Sequence, residues 1–182
     1  MTEIILLPGY GNSGPDHWQS HWERRERTIR RFRPTDWDRP DLEDWIRALD
    51  RALAEARGPA VLVAHSLSCL LVPHWAARAG VRTHRVIGAF LVAAPDPSAE
   101  VFPPEAAGFA GAPDRPLPFP SLVVGSVDDP YGSVLYARTR AKAWGAGFVE
   151  AAARGHINAA SGIGAWVEGI RLFAAFRAGL RI

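Results

Sequence analysis

The chain of 182 residues has a single cysteine, Cys69, and a single lysine, Lys142, among 21 basic residues. One thiol excludes an internal disulfide framework and fits a reducing compartment. An excess of charge of one sign is also lacking. The net charge is only +2, a small arginine surplus that points away from nucleic acid as a partner. No apolar run approaches the roughly 18 residues of a membrane span. Met1-Thr2-Glu3 opens without the basic and long apolar segments of a leader. These absences predict a cytoplasmic protein with no membrane association. Repeats and linker-like stretches are missing too, so residues 1–182 are expected to form one domain. With 48% hydrophobic and 22% charged residues, the chain has the balance of a globular protein with one well-buried core.

Apolar, β-branched runs alternate with helical patterns along the chain. Ile4-Ile5-Leu6-Leu7 reads as a short buried strand, followed by the glycine-rich loop from Pro8 to Pro15. Asp16 is placed to cap a helix from His17 to about Arg25, and Thr28 to Arg33 suits a strand near a sheet edge. Asp41 caps a helix to Arg57, with Leu42, Trp45, Ile46, Leu49 and Leu53 at helical spacing. Ala60 to Ala64 and Val86 to Ala93 are runs of the kind buried on both faces of a parallel sheet. Ala94 to Pro120 holds eight of the 15 prolines, and such a stretch is expected to be functional or mobile. Ser121 to Gly125, a helix from Ser133 to Trp144, Phe148 to Ala152, and an amphipathic helix from Ile163 to Ala178 complete the pattern. This alternation predicts a three-layer α/β fold: an open, mostly parallel sheet of about six strands with helices on both faces. Ligands of such sheets bind beyond the carboxyl ends of the strands.

Three strand ends carry chemistry. Ser66 follows the central run at a strand-to-helix turn, in Ala64-His65-Ser66-Leu67-Ser68. A nucleophile elbow has this form, although Ala64 and Ser68 fill its two usual glycine positions, and a helix-capping serine would look the same. Gly125-Ser126-Val127-Asp128-Asp129-Pro130 ends the next-to-last strand, and Gly155-His156-Ile157-Asn158 ends the last. Serine, acid and histidine in that order suit a nucleophile, an orienting carboxylate and a general base. The Leu67 N–H is the expected first oxyanion donor. The second is expected from Gly9-Tyr10-Gly11, from the Tyr10 N–H, with the two glycines allowing close backbone approach. The loop lacks the spacing of a phosphate cradle.

The residues Leu7-Pro8-Gly9-Tyr10-Gly11, Asp16-His17-Trp18, Asp36-Trp37 with Pro40, Ala64-His65-Ser66-Leu67, Gly125-Ser126 with Asp128-Asp129-Pro130, and Gly155-His156-Ile157-Asn158 carry a resemblance over nearly the whole chain. The sequence resembles the small serine hydrolases related to retinoblastoma-binding protein nine, including the bacterial YdeN-like members, within the α/β-hydrolase superfamily. The resemblance implies a minimal α/β-hydrolase fold without a large lid, a Ser-Asp-His triad and no cofactor. It favours Asp129 over Asp128 as the acid, since the superfamily's acid commonly precedes a proline-containing turn. The Leu-x-Cys-x-Glu pattern tied to retinoblastoma-protein binding is absent, because Leu67-Ser68-Cys69-Leu70-Leu71 ends in leucine.

The expected activity is cofactor-independent cleavage of a small ester, thioester or amide by Ser66, Asp129 and His156. Gly9, Gly11, Trp18, Phe102 and Phe109 are candidates to border the pocket. A protein-interaction module on an inactive scaffold is the alternative; a protein partner is possible but not implied. A third reading takes His17 and His21, at i and i+4, as metal ligands, although no glutamate completes His-Glu-x-x-His. His65 is expected to make structural hydrogen bonds, His74 to sit at a helix end, and Cys69 to be buried. Arg24, Arg25, Arg27, Arg30, Arg31 and Arg33 read as a solvated face.

Overall fold

The apolar runs become strands because each supplies side chains to both faces of one sheet. The computed structural model describes residues 2–180. Six strands, β1 (Glu3–Leu7), β2 (Ile29–Arg31), β3 (Ala60–His65), β4 (Val86–Val92), β5 (Ser121–Ser126) and β6 (Gly147–Ala151), pair in the order β2-β1-β3-β4-β5-β6. All five pairings are parallel. Period-two alternation sorts the strand residues: Ile5, Leu7, Leu62, Ala64, Leu91 and Val123 enter one core, while Ile4, Leu6, Val61, Val63, Phe90 and Val124 enter the other.

Five helices cover the faces: α1 (Trp18–Arg25), α2 (Leu42–Ala54), α3 (Ser68–Ala79), α4 (Val134–Ala143) and α5 (Val167–Ala178). Helices α2, α3 and α4 pack Trp45, Leu49, Leu71, Trp75 and Ala141 on the first face, and α1 and α5 pack Trp18, Trp22 and Phe173 on the second. Full burial of such side chains stabilises by roughly 1.5–3 kcal/mol each. Helix α2 starts where the Asp41 side chain accepts the Asp44 N–H, as expected, but ends at Ala54. Among the described residues no helix is long and apolar enough to cross a membrane.

Several boundaries differ from the sequence reading. His17, rather than Asp16, caps α1: its ring accepts the Gln19 N–H. Helix α5 begins only at Val167, because Gly162, Gly164 and Trp166 take left-handed backbone angles and unwind the preceding turn. The proline-rich stretch contains a 3-10 helix, Pro104–Phe109, and is tied down by the Leu117 N–H on the Trp144 carbonyl. Strand β2 lies at an edge, and its arginines are partly paired: Arg30 with Glu3 and Arg31 with Glu23.

The chain runs from β1 outward to β2, then crosses back to place β3 on β1's other side. The loops after β1 and β3 therefore diverge around a crevice at the topological switch point. Tyr10 and Asn12 from the first loop and Ser66 and Leu67 from the second line it.

Candidate active site

Ser66 leaves β3 with φ +53 and begins the turn into α3. A left-handed angle at a residue with a Cβ costs of order 1–3 kcal/mol, so the surrounding contacts hold it. The Ser66 N–H donates to the Val92 carbonyl at 2.9 Å and the Ser66 carbonyl accepts the Cys69 N–H at 2.8 Å. Gly9 approaches from the β1 loop so closely that a Cβ there would lie 2.7 Å from the Ser66 Cβ and 3.2 Å from the Leu67 nitrogen. Ser68, at the second usual glycine position, is fully buried and donates its hydroxyl to the Pro8 carbonyl at 2.6 Å. The elbow and the Pro8–Gly11 loop are thus locked together by a close contact and a hydrogen bond. Among the described residues neither the Leu67 nor the Tyr10 N–H has a protein acceptor.

The structure brings Ser66, His156 and Asp129 together. Ser66 Oγ lies 2.8 Å from His156 Nε2, and His156 Nδ1 lies 2.8 and 2.9 Å from the two Asp129 oxygens. A carboxylate only accepts, so Nδ1 carries the proton and Nε2 presents its lone pair to the Ser66 hydroxyl. Such a relay can move the serine proton onto the imidazole. Asp129 is also fixed by the Tyr131 N–H at 2.9 Å. Asp128 instead accepts from Ser126 Oγ and the Gly155 N–H, both at 2.7 Å. These bonds hold its carboxyl below the ordinary aspartate value and tie the end of β5 to the histidine loop.

Behind Ser66 lie two further imidazoles. His65 is buried and its Nε2 donates to the His156 carbonyl at 2.9 Å. Burial pushes its pKa well below the usual histidine value, and burial with the nearby Arg31 pushes His17 down to about 3. Both rings are therefore neutral at pH 7. His21 is half-buried beside Arg24, and among the described residues no group of three potential ligands forms a metal site. Cys69 is fully buried, which raises its thiol pKa and keeps it protonated.

The cleft over Ser66 has a volume of about 450 Å³, within the range of small-ligand sites. Phe102, with Val101, Pro95 and Ala106, forms an apolar wall, while Tyr10, Asn12 and Asn158 supply neutral polar groups. Four expected pocket residues lie elsewhere. Gly9 is buried against the elbow and Gly11 faces solvent. Trp18 is fully buried beneath the site, with its indole N–H on the Ile157 carbonyl at 2.8 Å. Phe109 is fully buried against Trp45, because the 3-10 helix turns it into the core. His74 does not sit at a helix end: it is buried within α3 and bonds the Phe109 carbonyl at 3.1 Å. Tyr131 escaped the sequence reading, although its ring lies 4.5 Å from that of His156. Its position two residues after the acid was the available signal.

The family model described as serine hydrolase matches residues 4–175. A protein described as a YdeN-like hydrolase of Pectobacterium atrosepticum is 32% identical, with 97% of this chain and 90% of that one covered and a TM-score of 0.86. The ydeN gene product of B. subtilis is 18% identical over 98% and 100% of the two chains, with a TM-score of 0.74. The type II thioesterase BorB of the borrelidin cluster shares the fold at 16% identity, covering 96% and 92%, with a TM-score of 0.65. A comparison with curated proteins found no match. The chain belongs to the serine hydrolase family and is a small serine hydrolase of the α/β-hydrolase superfamily.

Proposed function

We propose that the enzyme cleaves a small carboxylic ester, thioester or amide through an acyl-enzyme on Ser66. The observation that carries this reading is the 2.8 Å contact of Ser66 Oγ with His156 Nε2 at a strained elbow, with Nδ1 held by Asp129. Ser66 Oγ attacks the substrate carbonyl carbon as His156 Nε2 takes its proton. Asp129 keeps the Nδ1 proton in place and stabilises the imidazolium. The tetrahedral oxyanion accepts from the Leu67 and Tyr10 N–H groups, whose lack of protein acceptors supports that role. His156 then protonates the leaving oxygen, sulfur or nitrogen. Water, deprotonated by His156, releases the acid and restores Ser66. Nucleophile, base and donors all come from the protein, so this reaction draws on no cofactor.

The apolar wall of Phe102, Val101 and Pro95 suits an acyl chain, and a cleft of about 450 Å³ suits a small molecule. A nitrophenyl ester series of increasing acyl length tests both points in stopped flow. An initial burst of nitrophenolate stoichiometric with enzyme is expected, absent in Ser66→Ala, whose kcat/KM falls at least about 10³-fold. Turnover surviving unchanged in Ser66→Ala would exclude this mechanism.

A further inference from the structure

The loop carrying His156 turns through two left-handed angles, φ +51 at Gly155, which glycine adopts freely, and φ +46 at Ile157. For a β-branched residue that angle is an outlier that neighbouring structure has to impose. The loop is gripped by its backbone from two sides. On the β5 side, Ser126 Oγ accepts the Arg154 N–H at 2.9 Å, and Asp128 accepts the Gly155 N–H. On the other side, two consecutive carbonyls are held by buried ring donors. His65 Nε2 donates to the His156 carbonyl at 2.9 Å, and Trp18 Nε1 donates to the Ile157 carbonyl at 2.8 Å.

These two donors come from 91 and 139 residues away in the chain. Both are rigid. Trp18 is packed edge-on against Trp22 at 4.6 Å and Trp166 at 5.2 Å, and His65 stands between His17 at 4.6 Å and His156 at 5.0 Å. A carbonyl acceptor requires the His65 proton to be on Nε2. Because His65 directly precedes Ser66, one residue step links the nucleophile's strand to the base's backbone.

We propose that His65 and Trp18 are positioning residues for the general base: by fixing the carbonyls of His156 and Ile157, they hold His156 Nε2 at the Ser66 hydroxyl. This rests on the reading of Ser66 and His156 as nucleophile and base. Freed from one donor, the loop relaxes away from the strained Ile157 angle and lengthens the 2.8 Å contact. A misplacement of about 1 Å in reacting groups lowers rates by roughly 10²-fold.

The test compares four full-length variants by steady-state hydrolysis of a nitrophenyl ester, pH profile and thermal melting. Trp18→Phe removes the indole donor, and His65→Leu removes the imidazole donor. His65→Gln keeps an N–H of similar reach. Trp22→Phe is the structural control, since Trp22 shares the aromatic cluster but donates to the Ala165 carbonyl at 2.9 Å. Trp18→Phe and His65→Leu should lose kcat at least tenfold with KM within twofold. Their rates should climb with pH without the plateau that a well-placed imidazole gives. His65→Gln should regain most of kcat. Trp22→Phe should melt lower yet keep kcat within twofold. If Trp18→Phe and His65→Leu match Trp22→Phe in kcat and pH profile, the positioning role is wrong. Fluorophosphonate labelling separates the two levels: wild-type labelling that persists in Ser66→Ala removes the underlying mechanism, whereas labelling confined to Ser66 and undiminished in Trp18→Phe removes only this proposal.

Discussion

Gly9→Ala isolates the contact that brings the oxyanion loop to the elbow. Gly9 does not adopt a left-handed angle, so alanine meets no backbone penalty there. Stiffening the unfolded chain would by itself stabilise the protein by about 0.4–1 kcal/mol. The obstacle is purely spatial. The added methyl would stand 2.7 Å from the Ser66 Cβ and 3.1 Å from the His65 carbonyl oxygen, whereas ordinary contact begins at 3.4 Å. Relief therefore requires a displacement of about 0.7 Å between the loop and the elbow. Both proposed oxyanion donors straddle that junction, and losing one such donor lowers kcat by roughly 10²–10³-fold. We expect Gly9→Ala to lower kcat about 10²-fold, to change KM little, and to weaken a boronic acid transition-state analogue in parallel. Steady-state kinetics on a nitrophenyl ester and a competition assay read both quantities. A folded Gly9→Ala enzyme with kcat within threefold of wild type would refute the close-packing account.

Ser68→Ala should lower kcat roughly tenfold, because the buried Pro8 carbonyl loses its donor at 2.6 Å; an unchanged kcat would show that the loop is held without it. Asp129→Asn should lower kcat by about 10³–10⁴-fold, while Asp128→Asn, which keeps an acceptor oxygen for Ser126 and Gly155, should stay within tenfold; reversed losses would exchange the roles of the two aspartates. The buried imidazole of His17 is held at about 3 in the folded state and returns to 6.5 on unfolding. Protons then favour the unfolded chain, so the stability that His17 contributes is present above pH 6.5 and declines as pH falls toward 3. Urea melts at pH 7 and pH 5 should differ by about 2 kcal/mol on this account, and His17→Gln should flatten the difference. An equally steep pH dependence in His17→Gln would assign the effect to other groups.

Much of the architecture was legible because β1, β3 and β4 are buried on both faces, which forces continuous apolar runs into the sequence. The elbow shows in the sequence only as a polar pair, His65-Ser66, closing such a run, and its separation from a helix-capping serine depends on the acid and histidine at the later strand ends. Asp129 was picked out by resemblance, and its neighbour Asp128 proved to clamp the loop rather than point at the histidine. Less local features stayed hidden. The cap of α1 is His17 because a ring nitrogen can accept an N–H as well as a carboxylate can, and Asp16 next to it is the more usual capping residue. Trp18 looked like a pocket wall because its partner, the Ile157 carbonyl, is 139 residues away. Phe109 gave the same impression, but the 3-10 turn and the His74 bond to its carbonyl draw it into the core. Ala64 and Ser68, read as departures from the glycine pattern, turned out differently: Ser68 supplies a bond that glycine cannot.

Intact-mass and peptide mapping of the enzyme quenched during turnover of a slow ester reads the acyl-enzyme itself. One acyl group per chain is expected, on the peptide containing Ser66, accumulating and then decaying by hydrolysis. An acyl group on any other residue, or turnover with Ser66 never modified, would contradict the Ser66 mechanism.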